Sequence, residues 1–554
     1  MKFWTEYLGH KPRGDFRTKI DENIYTFDIE TSSYIIYENK QMETIKYLEL
    51  SKKEQEKCEF QSLMYIWIFG INDNIYYGRT WEELYIFLSE IESNVNNKKI
   101  VYVHNLSYEF QFLRNIFKFS KVFSRKSRKV IKCQIDEFNI EFRCTYYLTN
   151  VKLEKLPEIY GLKTKKLVGN LDYIKIRTSQ TKLSRKELNY CENDCLILYE
   201  YIKKELERYE NVKKIPLTST GHVRQELKDK IKRNYKYRYK VKKANNTDGK
   251  IYNFLVSAFM GGYTHANWLY TGEIIKNVTS YDFTSSYPYV MTTHKFPMTE
   301  FKKCRIKSYN QILPNLAYLL KVRFTNIKCK YFNTFISQNK CLKVKKGRYD
   351  NGRIVEAEEI EIILTDVDFK FILKSYTGKY EILESYFSIY GYLPNELIEF
   401  TLNKYKIKTE YKGIKEKELE YNLEKAKFNS IYGMCVTNNI KDEILFDNLT
   451  GWEEVPLENE EILCKLEDEK KKGFLSFSWG VWVTAWARIN LLENIIKLDE
   501  YVIYSDTDSL KLKEGFNKNV IDEYNKNVVE KIKKTSEDLK IPIELFSPTD
   551  KKRK

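Results

Sequence analysis

Two aspartates set between apolar runs, in the segment Tyr504–Ser509, constrain the fold of this chain more than any other feature. In a β-strand residues i and i+2 point to the same side, so a strand that reaches Asp506 presents it together with Asp508. Asp282 lies in a second acidic segment, Tyr281–Pro288, much earlier in the chain. Three carboxylates from neighbouring strands can hold two Mg²⁺ ions about 3.5–4 Å apart, which predicts a phosphoryl-transfer site. The alternative is that Asp-Thr-Asp only forms a hairpin turn.

A segment between these two acidic motifs predicts a nucleotide-binding helix. Lys425 and Tyr432 stand at positions i and i+7 of an apolar pattern with helical spacing, which puts both on roughly one face. A lysine can hold a triphosphate as a point charge, and a tyrosine can pack against a sugar or a base. The alternative for each residue alone is a solvated lysine and a packed tyrosine, but the order of acid, helix and acid pair favours the functional interpretation.

A second set of acids lies in the N-terminal third of the chain. Asp28 and Glu30 share one face of a predicted strand, and Glu109 follows a buried-strand pattern. Tyr190 and Asp194 are four residues apart and share one face of a predicted helix. Four carboxylates and a tyrosine in this order suit hydrolysis with two bound metal ions, in which Tyr190 orients the attacking water. The alternative is that such acids only solvate the ends of strands.

The acidic and helical segments of the C-terminal part resemble the motifs of a known enzyme family. Asp282–Pro288, Lys425–Gly433 and Tyr504–Ser509 resemble motifs A, B and C of the family B DNA polymerases. Motif B, Phe259–Tyr263 and Val483–Arg488 are similar to the protein-primed branch found in bacteriophages, linear plasmids and adenoviruses. The resemblance implies a DNA-directed DNA polymerase, a protein-primed viral replicase that adds dNMPs to a 3′-hydroxyl with two Mg²⁺ ions, for which Mn²⁺ can substitute.

The N-terminal acids resemble the Exo I, Exo II and Exo III motifs of the 3′–5′ proofreading exonucleases that are fused to such polymerases, with two further Mg²⁺ ions. Glu109 occupies the Exo II place where the family has Asp. The extra methylene displaces the carboxylate, which predicts a competent but retuned exonuclease. The family keeps a lysine at the place of Val168, so either Lys166 replaces that lysine or its function is missing.

The resemblance also assigns roles residue by residue. The expected metal ligands and catalytic acids of the polymerase site are Asp282, Asp506 and Asp508, and those of the exonuclease site are Asp28, Glu30, Glu109 and Asp194, with Tyr190 beside them. The expected nucleotide-binding residues are Tyr287, Ser285, Lys425, Asn429 and Tyr432, of which Tyr287 excludes a 2′-hydroxyl. The expected DNA-binding residues are Thr31, His104, Asn105, Phe112, Thr145, Gly261 and Gly262.

The resemblance predicts an α+β multidomain fold, in which an RNase H-like α/β 3′–5′ exonuclease domain precedes a palm and fingers polymerase domain. The expected order is an N-terminal segment (1–22), the exonuclease domain (23–210), a basic connector with a Gly-Gly linker (211–273), palm with motif A (274–329), insertion 1 that contacts a priming protein (330–392), fingers with motif B (393–436), insertion 2 (437–472) and palm with motif C (473–554). The family continues well beyond motif C into a thumb, so we expect this chain to be C-terminally incomplete, with the thumb missing.

The charge and the cysteine pattern of the chain agree with an intracellular nucleic-acid enzyme. The 554 residues include 94 basic and 77 acidic side chains, a formal net charge of +17, which favours a polyanionic partner through counterion release. The ten cysteines show no Cys-x-x-Cys pair, which favours a reducing cytoplasm. The sequence contains no apolar run of about 18 residues, which is the length that would indicate a membrane span. The expected partners are a DNA template–primer, dNTPs and a terminal priming protein, and the expected location is the cytoplasm of a bacterial host.

Alternative functions stay open from the sequence. The chain can be an exonuclease only, or the N-terminal part of a split polymerase that needs a second polypeptide, a C-terminal polymerase fragment, for primer grip and thumb. A noncatalytic DNA-binding or scaffold subunit is disfavoured, because simple binding has no use for carboxylates at seven metal-ligand positions.

Overall fold

The structure is a computed structural model, which describes residues 1–13, 19–38, 40–42, 49–167, 175–283, 286–414, 417–437 and 440–545. The predicted nucleotide-binding residue Ser285 and the lysine position at Val168 lie outside these ranges. The chain divides into two units. The first is Met1–His222 with Asp442–Pro456, and the second is Val223–Lys441 with Leu457–Lys554.

The strands are numbered here in chain order. They are β1 (Lys2–Phe3), β2 (Tyr25–Tyr37), β3 (Lys40–Met42), β4 (Glu59–Ile71), β5 (Asn74–Gly78), β6 (Lys99–Val103), β7 (Lys121–Ser124), β8 (Val130–Ile135), β9 (Ile140–Cys144), β10 (Thr264–Ala266), β11 (Thr279–Asp282), β12 (Phe296–Pro297), β13 (Lys302–Cys304), β14 (Leu316–Cys329), β15 (Cys341–Lys345), β16 (Arg348–Asp350), β17 (Arg353–Thr365), β18 (Tyr376–Gly391), β19 (Glu443–Asp447), β20 (Gly451–Val455), β21 (Val502–Asp506) and β22 (Ser509–Leu512).

The α-helices are numbered in the same way. They are α1 (Lys52–Gln55), α2 (Trp81–Asn94), α3 (Leu106–Leu113), α4 (Thr145–Thr149), α5 (Leu156–Tyr160), α6 (Arg185–Glu205), α7 (Ser219–Ile231), α8 (Tyr235–Ala244), α9 (Gly249–Ala258), α10 (Ser286–Thr293), α11 (Asp366–Ser375), α12 (Asn395–Tyr411), α13 (Glu418–Cys435), α14 (Asn459–Lys472), α15 (Phe477–Leu498) and α16 (Asn519–Asp538). None of the helices in the described ranges is both long and apolar enough to cross a membrane.

The first unit is built on a mixed sheet with the strand order β1-β5-β4-β2-β6-β9-β8-β7, in which β3 also pairs with β2. The two faces of β4 explain its long apolar run. Trp67 and Phe69 pack on one face with α2 and α3, while Ile66 and Ile68 pack on the other with α6. Because successive side chains of a strand alternate between faces, a strand covered on both sides has to be apolar throughout.

The hairpin formed by β19 and β20 belongs to this first unit, although it comes late in the chain. Its aromatic residues Phe446 and Trp452 lie against Phe110, with ring centroids 4.9 Å and 5.8 Å away. The side-chain amide of Asn448 exchanges two hydrogen bonds of 2.9 Å with the backbone of Phe119. The predicted insertion 2 (437–472) is therefore divided, since α14 belongs to the second unit.

The second unit contains a small sheet with the order β10-β21-β22-β11. The long helix α15 packs against this sheet through Leu491 and Ile495, which share an apolar cluster with Val502 of β21. The first half of α15 lies in another cluster, where the indoles of Trp479 and Trp482 are fully buried. This helix therefore joins the small sheet to the rest of the second unit.

A larger sheet of the second unit has the order β12-β18-β14-β17-β15, with β13 on β18 and β16 on β17. Strand β14 pairs with β17 and with β18 along almost its whole length. The predicted boundary between palm and insertion 1, at residue 330, falls at the end of β14 and so separates it from both of its neighbours. One continuous sheet therefore spans this predicted boundary, between Phe296 and Gly391.

Candidate active sites

Three carboxylates of the first unit form what we call the Asp28 cluster: Asp28, Glu30 and Asp194. Their oxygen atoms lie within 4.8 Å of one another, which is the one such group of three potential metal-ligating side chains in the described ranges. Phe27 and Ile29 of β2 face the apolar core, so Asp28 and Glu30 both point to the opposite face of the strand. Asp194 reaches this face from α6, which packs along β2 and β4.

Glu109 lies beside the cluster, in the first turn of α3. Its carboxylate is buried, and its Oε2 atom has no hydrogen-bond partner among the described residues. Burial, and next the charge of Glu30, raise the pKa of Glu109 to about 8. Burial and Asp194 raise the pKa of Glu30 to about 7, and burial with Glu30 raises the pKa of Asp28. The longer side chain at the Exo II place thus remains within electrostatic reach of the other acids.

Lys166 is the cation of this site. Its Nζ atom donates a 2.7 Å hydrogen bond to Asp194 and lies 5.3 Å from the centre of the Tyr190 ring, which is buried. Of the two alternatives left by the sequence, the structure thus brings Lys166 to the acids. The carboxylates in turn raise the pKa of Lys166 against the opposing effect of burial. Alignment with the family motif places the lysine at position 168. The sequence alone cannot show which nearby lysine points towards the acids in the folded chain.

The residues predicted to hold a DNA end differ in their exposure. The Thr31 hydroxyl is hydrogen-bonded to that of Tyr108, whose ring is 41% exposed and lies 5.3 Å from the ring of Phe112. Tyr108 was not predicted, although its place next to Glu109 could have suggested it. Thr145 is buried and pairs with Nδ1 of His104 at 3.1 Å.

His104 and Asn105 lie where β6 passes into α3. Burial, and next the charge of Lys166, lower the pKa of His104 to about 4, so the ring is neutral at physiological pH. Asn105 is the residue that precedes α3, and its side chain makes no capping hydrogen bond to the helix. Its amide therefore has no role in starting the helix.

In the second unit, Asp282, Asp506 and Asp508 form what we call the Asp282 group. Strand β22 lies between β21 and β11, and its Ser509 is paired with Asp506 on one side and with Asp282 on the other. Residues paired in register point to the same face, with neighbouring strands about 4.8 Å apart. Two aspartates distant in the sequence therefore flank Ser509 on one face. The carboxylate oxygens of this group do not all lie within 4.8 Å of one another, as those of the Asp28 cluster do.

Asp508 is not on the strand, which corrects the expectation that both aspartates project from one strand. Strand β21 ends at Asp506, and Thr507 and Asp508 form the two-residue turn to β22. The hairpin alternative is therefore correct for the local structure, and it does not exclude a site. The backbone nitrogen of Phe283 donates a 2.7 Å hydrogen bond to the Asp508 carbonyl, which ties the turn to motif A.

The predicted Gly261–Gly262 linker supports this turn. Thr507 has a φ of +56°, an unfavourable value for a β-branched residue, and its nitrogen donates a 2.8 Å bond to the Tyr263 carbonyl. A Cβ atom on Gly262 would lie 2.8 Å from the Thr507 side chain, so only glycine fits there. The carbonyls of Met260 and Gly261 accept hydrogen bonds of 2.6 Å and 2.9 Å from Arg488.

Two lysines from neighbouring helices face the Asp282 group. Burial and Asp282 raise the pKa of Asp508, while Lys408 of α12 and Lys425 of α13 oppose this shift. Lys425 and Asn429 are both exposed on α13, which continues past Gly433 to Cys435. Lys408 was missed because α12 carries several lysines, and nothing in their spacing selects one of them.

Tyr287 and Tyr432 were predicted separately and lie together. Their rings are stacked face to face, with centroids 3.7 Å apart and planes inclined by 5°. Tyr287 comes from the start of α10, directly after motif A, and Tyr432 from motif B on α13. Such a separation leaves no space for another ring between them, so a base or sugar has to contact their edges or part the stack.

The arrangement of motifs A, B and C around one small sheet has a counterpart in known proteins. The sequence profile described as "DNA polymerase type B, organellar and viral" matches residues 168–527, which include all three motifs and Asp194. This chain belongs to that family. The resemblance predicted from the motifs is thereby confirmed, and the polymerase is a DNA-directed DNA polymerase by family.

Individual relatives extend the match of this family B polymerase towards the N-terminus. It is 24% identical to the DNA polymerase of Bacillus phage B103 over a match of 486 residues. This match covers 81% of this chain and 77% of the relative. It is 23% identical over 508 residues to that of Bacillus phage phi29, covering 83% and 80%. The fold is similar to phi29 DNA polymerase complexed with primer-template DNA, with a TM-score of 0.66 at 17% identity over 91% of this chain and 82% of the other.

The residues of the Asp28 cluster suit a divalent cation. Carboxylate oxygens are the ligands that Mg²⁺ prefers, and the buried Asp194 Oδ1 and Glu109 Oε2 atoms have no hydrogen-bond partner among the described residues. Burial raises the pKa values of Asp28 and Asp194, and Lys166 offsets this shift only in part. The Asp282 group offers the same ligand type, from two strands of one sheet and the turn beside them, with more exposure to solvent.

We expect divalent cations to stabilise the polymerase more strongly as the pH rises. The pKa of Glu30 is raised to about 7 and that of Glu109 to about 8, whereas the unfolded chain ionises at ordinary carboxyl pKa values. Without metal, these two groups therefore lower the free energy of unfolding as the pH rises from ordinary carboxyl pKa values towards 7 and 8. A bound cation favours the ionised ligands. In thermal unfolding, the increase in melting temperature on adding Mg²⁺ should grow as the pH passes through 7 and 8.

The matched control for this prediction is the Asp28→Ala/Glu30→Ala variant, which keeps the Asp282 group. It should lose the part of the pH dependence that comes from the Asp28 cluster. An Mg²⁺-induced shift that is the same at every pH in the unsubstituted protein would contradict the electrostatic coupling.

Proposed function

We propose that the chain is a template-directed DNA polymerase that also removes nucleotides from a 3′ end at a separate site. The proposal is carried by the presence of one set of acidic side chains in each unit, accompanied by lysine. The Asp28 cluster has Lys166, and the Asp282 group has Lys425 and Lys408. One group suits hydrolysis and the other suits nucleotide addition, as the motif resemblance implies. The first unit would then be the RNase H-like exonuclease domain.

At the polymerase site, Asp282 and Asp508 would be the principal ligands of Mg²⁺ or Mn²⁺, with Asp506 supporting them. When bound there, the two cations would lower the pKa of the attacking 3′-hydroxyl and neutralise the charge of the pyrophosphate leaving group. Lys425 and Lys408 hold the triphosphate, because both already act on the charge of Asp508. Tyr287 and Tyr432 pack against the incoming sugar and base.

At the exonuclease site, Asp28, Glu30, Glu109 and Asp194 would hold the cations that activate a water molecule. Tyr190 orients that water, and Lys166 fixes the Asp194 carboxylate through their 2.7 Å hydrogen bond. The neutral ring of His104, the exposed ring of Tyr108 and the half-buried ring of Phe112 receive the unpaired bases of the DNA end. Stacking on such rings tolerates any base sequence, as a proofreading site requires.

Substitution of the acids should separate the two activities. Asp508→Ala should abolish extension of a primed template and leave degradation of a 3′-ended single strand intact. Asp28→Ala/Glu30→Ala should do the reverse, because the two sites share no ligand. Each loss is expected to exceed roughly 10²-fold, since even a 1 Å misplacement of a catalytic group can cost about that much. Both activities can be followed with one end-labelled primer on a sequencing gel.

Each variant serves as the folding control of the other. Persistent extension by the Asp508→Ala protein would contradict the polymerase assignment, and persistent degradation by the double variant would contradict the exonuclease assignment. Degradation without any incorporation by the unsubstituted chain would select the exonuclease-only alternative instead.

Removal of Lys408 should weaken nucleotide binding more than it slows chemistry. A hydrogen bond to a charged group contributes about 1.5–3 kcal/mol, so Lys408→Ala should raise the KM for dNTPs about tenfold or more. The matched control is Lys406→Ala on the same helix, because Lys406 pairs with Glu410 at 4.0 Å and is not among the charges that chiefly shift the pKa of Asp508. Equal KM values in the two variants, measured by steady-state incorporation on a primed template, would contradict the assignment.

The same site is proposed to start synthesis on a protein hydroxyl in the cytoplasm of a bacterial host. Support comes from the likeness of motif B and of the Gly-Gly linker to the protein-primed branch, and from the phage polymerases among the relatives. Incubation with the terminal protein of the same genome and a labelled dNTP should attach the label covalently to that protein, stable to denaturation. Asp508→Ala should abolish the labelling. Extension of DNA primers with no labelled protein would contradict protein priming.

A further inference from the structure

A groove of ≈ 860 Å³ runs along the exposed face of α8, in the second unit. Its other walls are the end of α14 with Gly473, the turn that leads into β13, and the side chains of Phe387 and Ile389 on β18. No residue of the Asp282 group and no predicted nucleotide-binding residue of the described chain lines it. The groove is therefore separate from the proposed polymerase site.

The groove is strongly basic. Six cationic side chains line it, namely Arg238, Lys242, Lys243, Lys302, Lys470 and Lys471, against the single carboxylate of Glu300. Lys470 and Lys471 are partly neutralised by Glu467, at 3.8 Å and 3.3 Å. For Arg238 and Lys242, no carboxylate of the described chain lies within 4.0 Å. Uncompensated charge of this kind lowers the free energy of a bound polyanion through counterion release.

Two tyrosines on the same face of α8 are exposed instead of buried. Tyr235 and Tyr239 are 79% and 49% exposed, while the opposite face buries Tyr237 and Val241 in the core. The two exposed rings are nearly parallel, with planes inclined by 16° and centroids 6.4 Å apart. The rings are not needed for the core. Tyr235 offers a flat apolar face to a ligand, whereas the Nζ atom of Lys243 lies 4.7 Å from the centre of the Tyr239 ring, which a ligand then shares with this cation.

The exposed face of α8 is held rigidly. Asn234 caps the start of the helix by accepting a 2.9 Å hydrogen bond from the Tyr237 nitrogen. The Tyr237 hydroxyl donates a 2.9 Å hydrogen bond to the Phe474 carbonyl. At the other end, Asn245 donates to the carbonyls of Glu469 and Leu475 at 3.2 Å and 3.0 Å. The backbone of α8 and that of the end of α14 therefore keep fixed positions, and a ligand loses little free energy in ordering the walls of the groove.

From this combination we infer that the α8 groove binds single-stranded DNA. Its bases stack on Tyr235 and Tyr239, and its phosphates contact Arg238, Lys242 and the lysines at the end of α14. A paired duplex hides the faces of its bases, so exposed aromatic rings in a basic groove favour an unpaired strand. The inference rests on DNA as the substrate, which follows from the family, and is independent of the proposed proofreading and protein priming.

The test is the affinity for a fluorescein-labelled oligothymidylate, measured by fluorescence anisotropy without nucleotide or metal. All proteins carry Asp28→Ala/Glu30→Ala, so that the probe is not degraded. Adding Tyr235→Ala/Tyr239→Ala should raise the dissociation constant about tenfold, because each stacked base contributes about 1–3 kcal/mol. Tyr235→Phe/Tyr239→Phe is the matched control, since it keeps both rings and should bind like the parent. Blunt duplex should bind the three proteins equally.

A second measurement locates the contact. The same oligonucleotide with 5-iododeoxyuridine should cross-link under ultraviolet light to Tyr235 or Tyr239, which mass spectrometry of the peptides identifies. An alanine pair that binds like the parent, a phenylalanine pair that binds as weakly as the alanine pair, or the absence of any cross-link on α8 would each overturn the inference. Failure of nucleotide addition would leave these outcomes unchanged, because binding is measured without dNTPs.

Discussion

The pairing of β22 with a strand on each side is the constraint on which the polymerase site depends. Only this register sets Asp282 and Asp506 at the same level as Ser509, although they are far apart in the chain. Backbone hydrogen bonds supply the geometry, so the acids need no attraction for each other, and as like charges they have none. The bond from Phe283 to the Asp508 carbonyl and the close approach of Gly262 to Thr507 then fix the turn between the two strands.

The Gly-Gly linker depends in turn on one buried cation. Arg488 of α15 donates to the carbonyls of Met260 and Gly261 and forms a 2.6 Å ion pair with Asp368 of α11. A buried charge is costly unless it is paired and hydrogen-bonded, and Arg488 has both an ion pair and two carbonyl acceptors. The motif resemblance marked the glycines as DNA contacts. Their visible role is to let the backbone approach the motif C turn.

The two acidic groups solve the same electrostatic problem differently. The Asp28 cluster is compact, and burial raises the pKa values of its acids, which the ion pair of Lys166 with Asp194 offsets only in part. The Asp282 group is more open and has lysines from two helices nearby. A compact anionic cluster favours small cations, whereas an open site lined by both acids and lysines suits a triphosphate together with its metal ions.

The sequence by itself determined the local features of both sites. Alternation in β2 put Asp28 and Glu30 on one face, and the helical spacing of Lys425 and Tyr432 was correct because both patterns depend only on near neighbours. Tertiary structure decided which distant groups meet: Lys166 with Asp194, Lys408 with Asp508, and Tyr287 with Tyr432. It also decided that residues 442–456 belong with the first unit. Such choices depend on packing and strand pairing between remote segments, which no local spacing encodes.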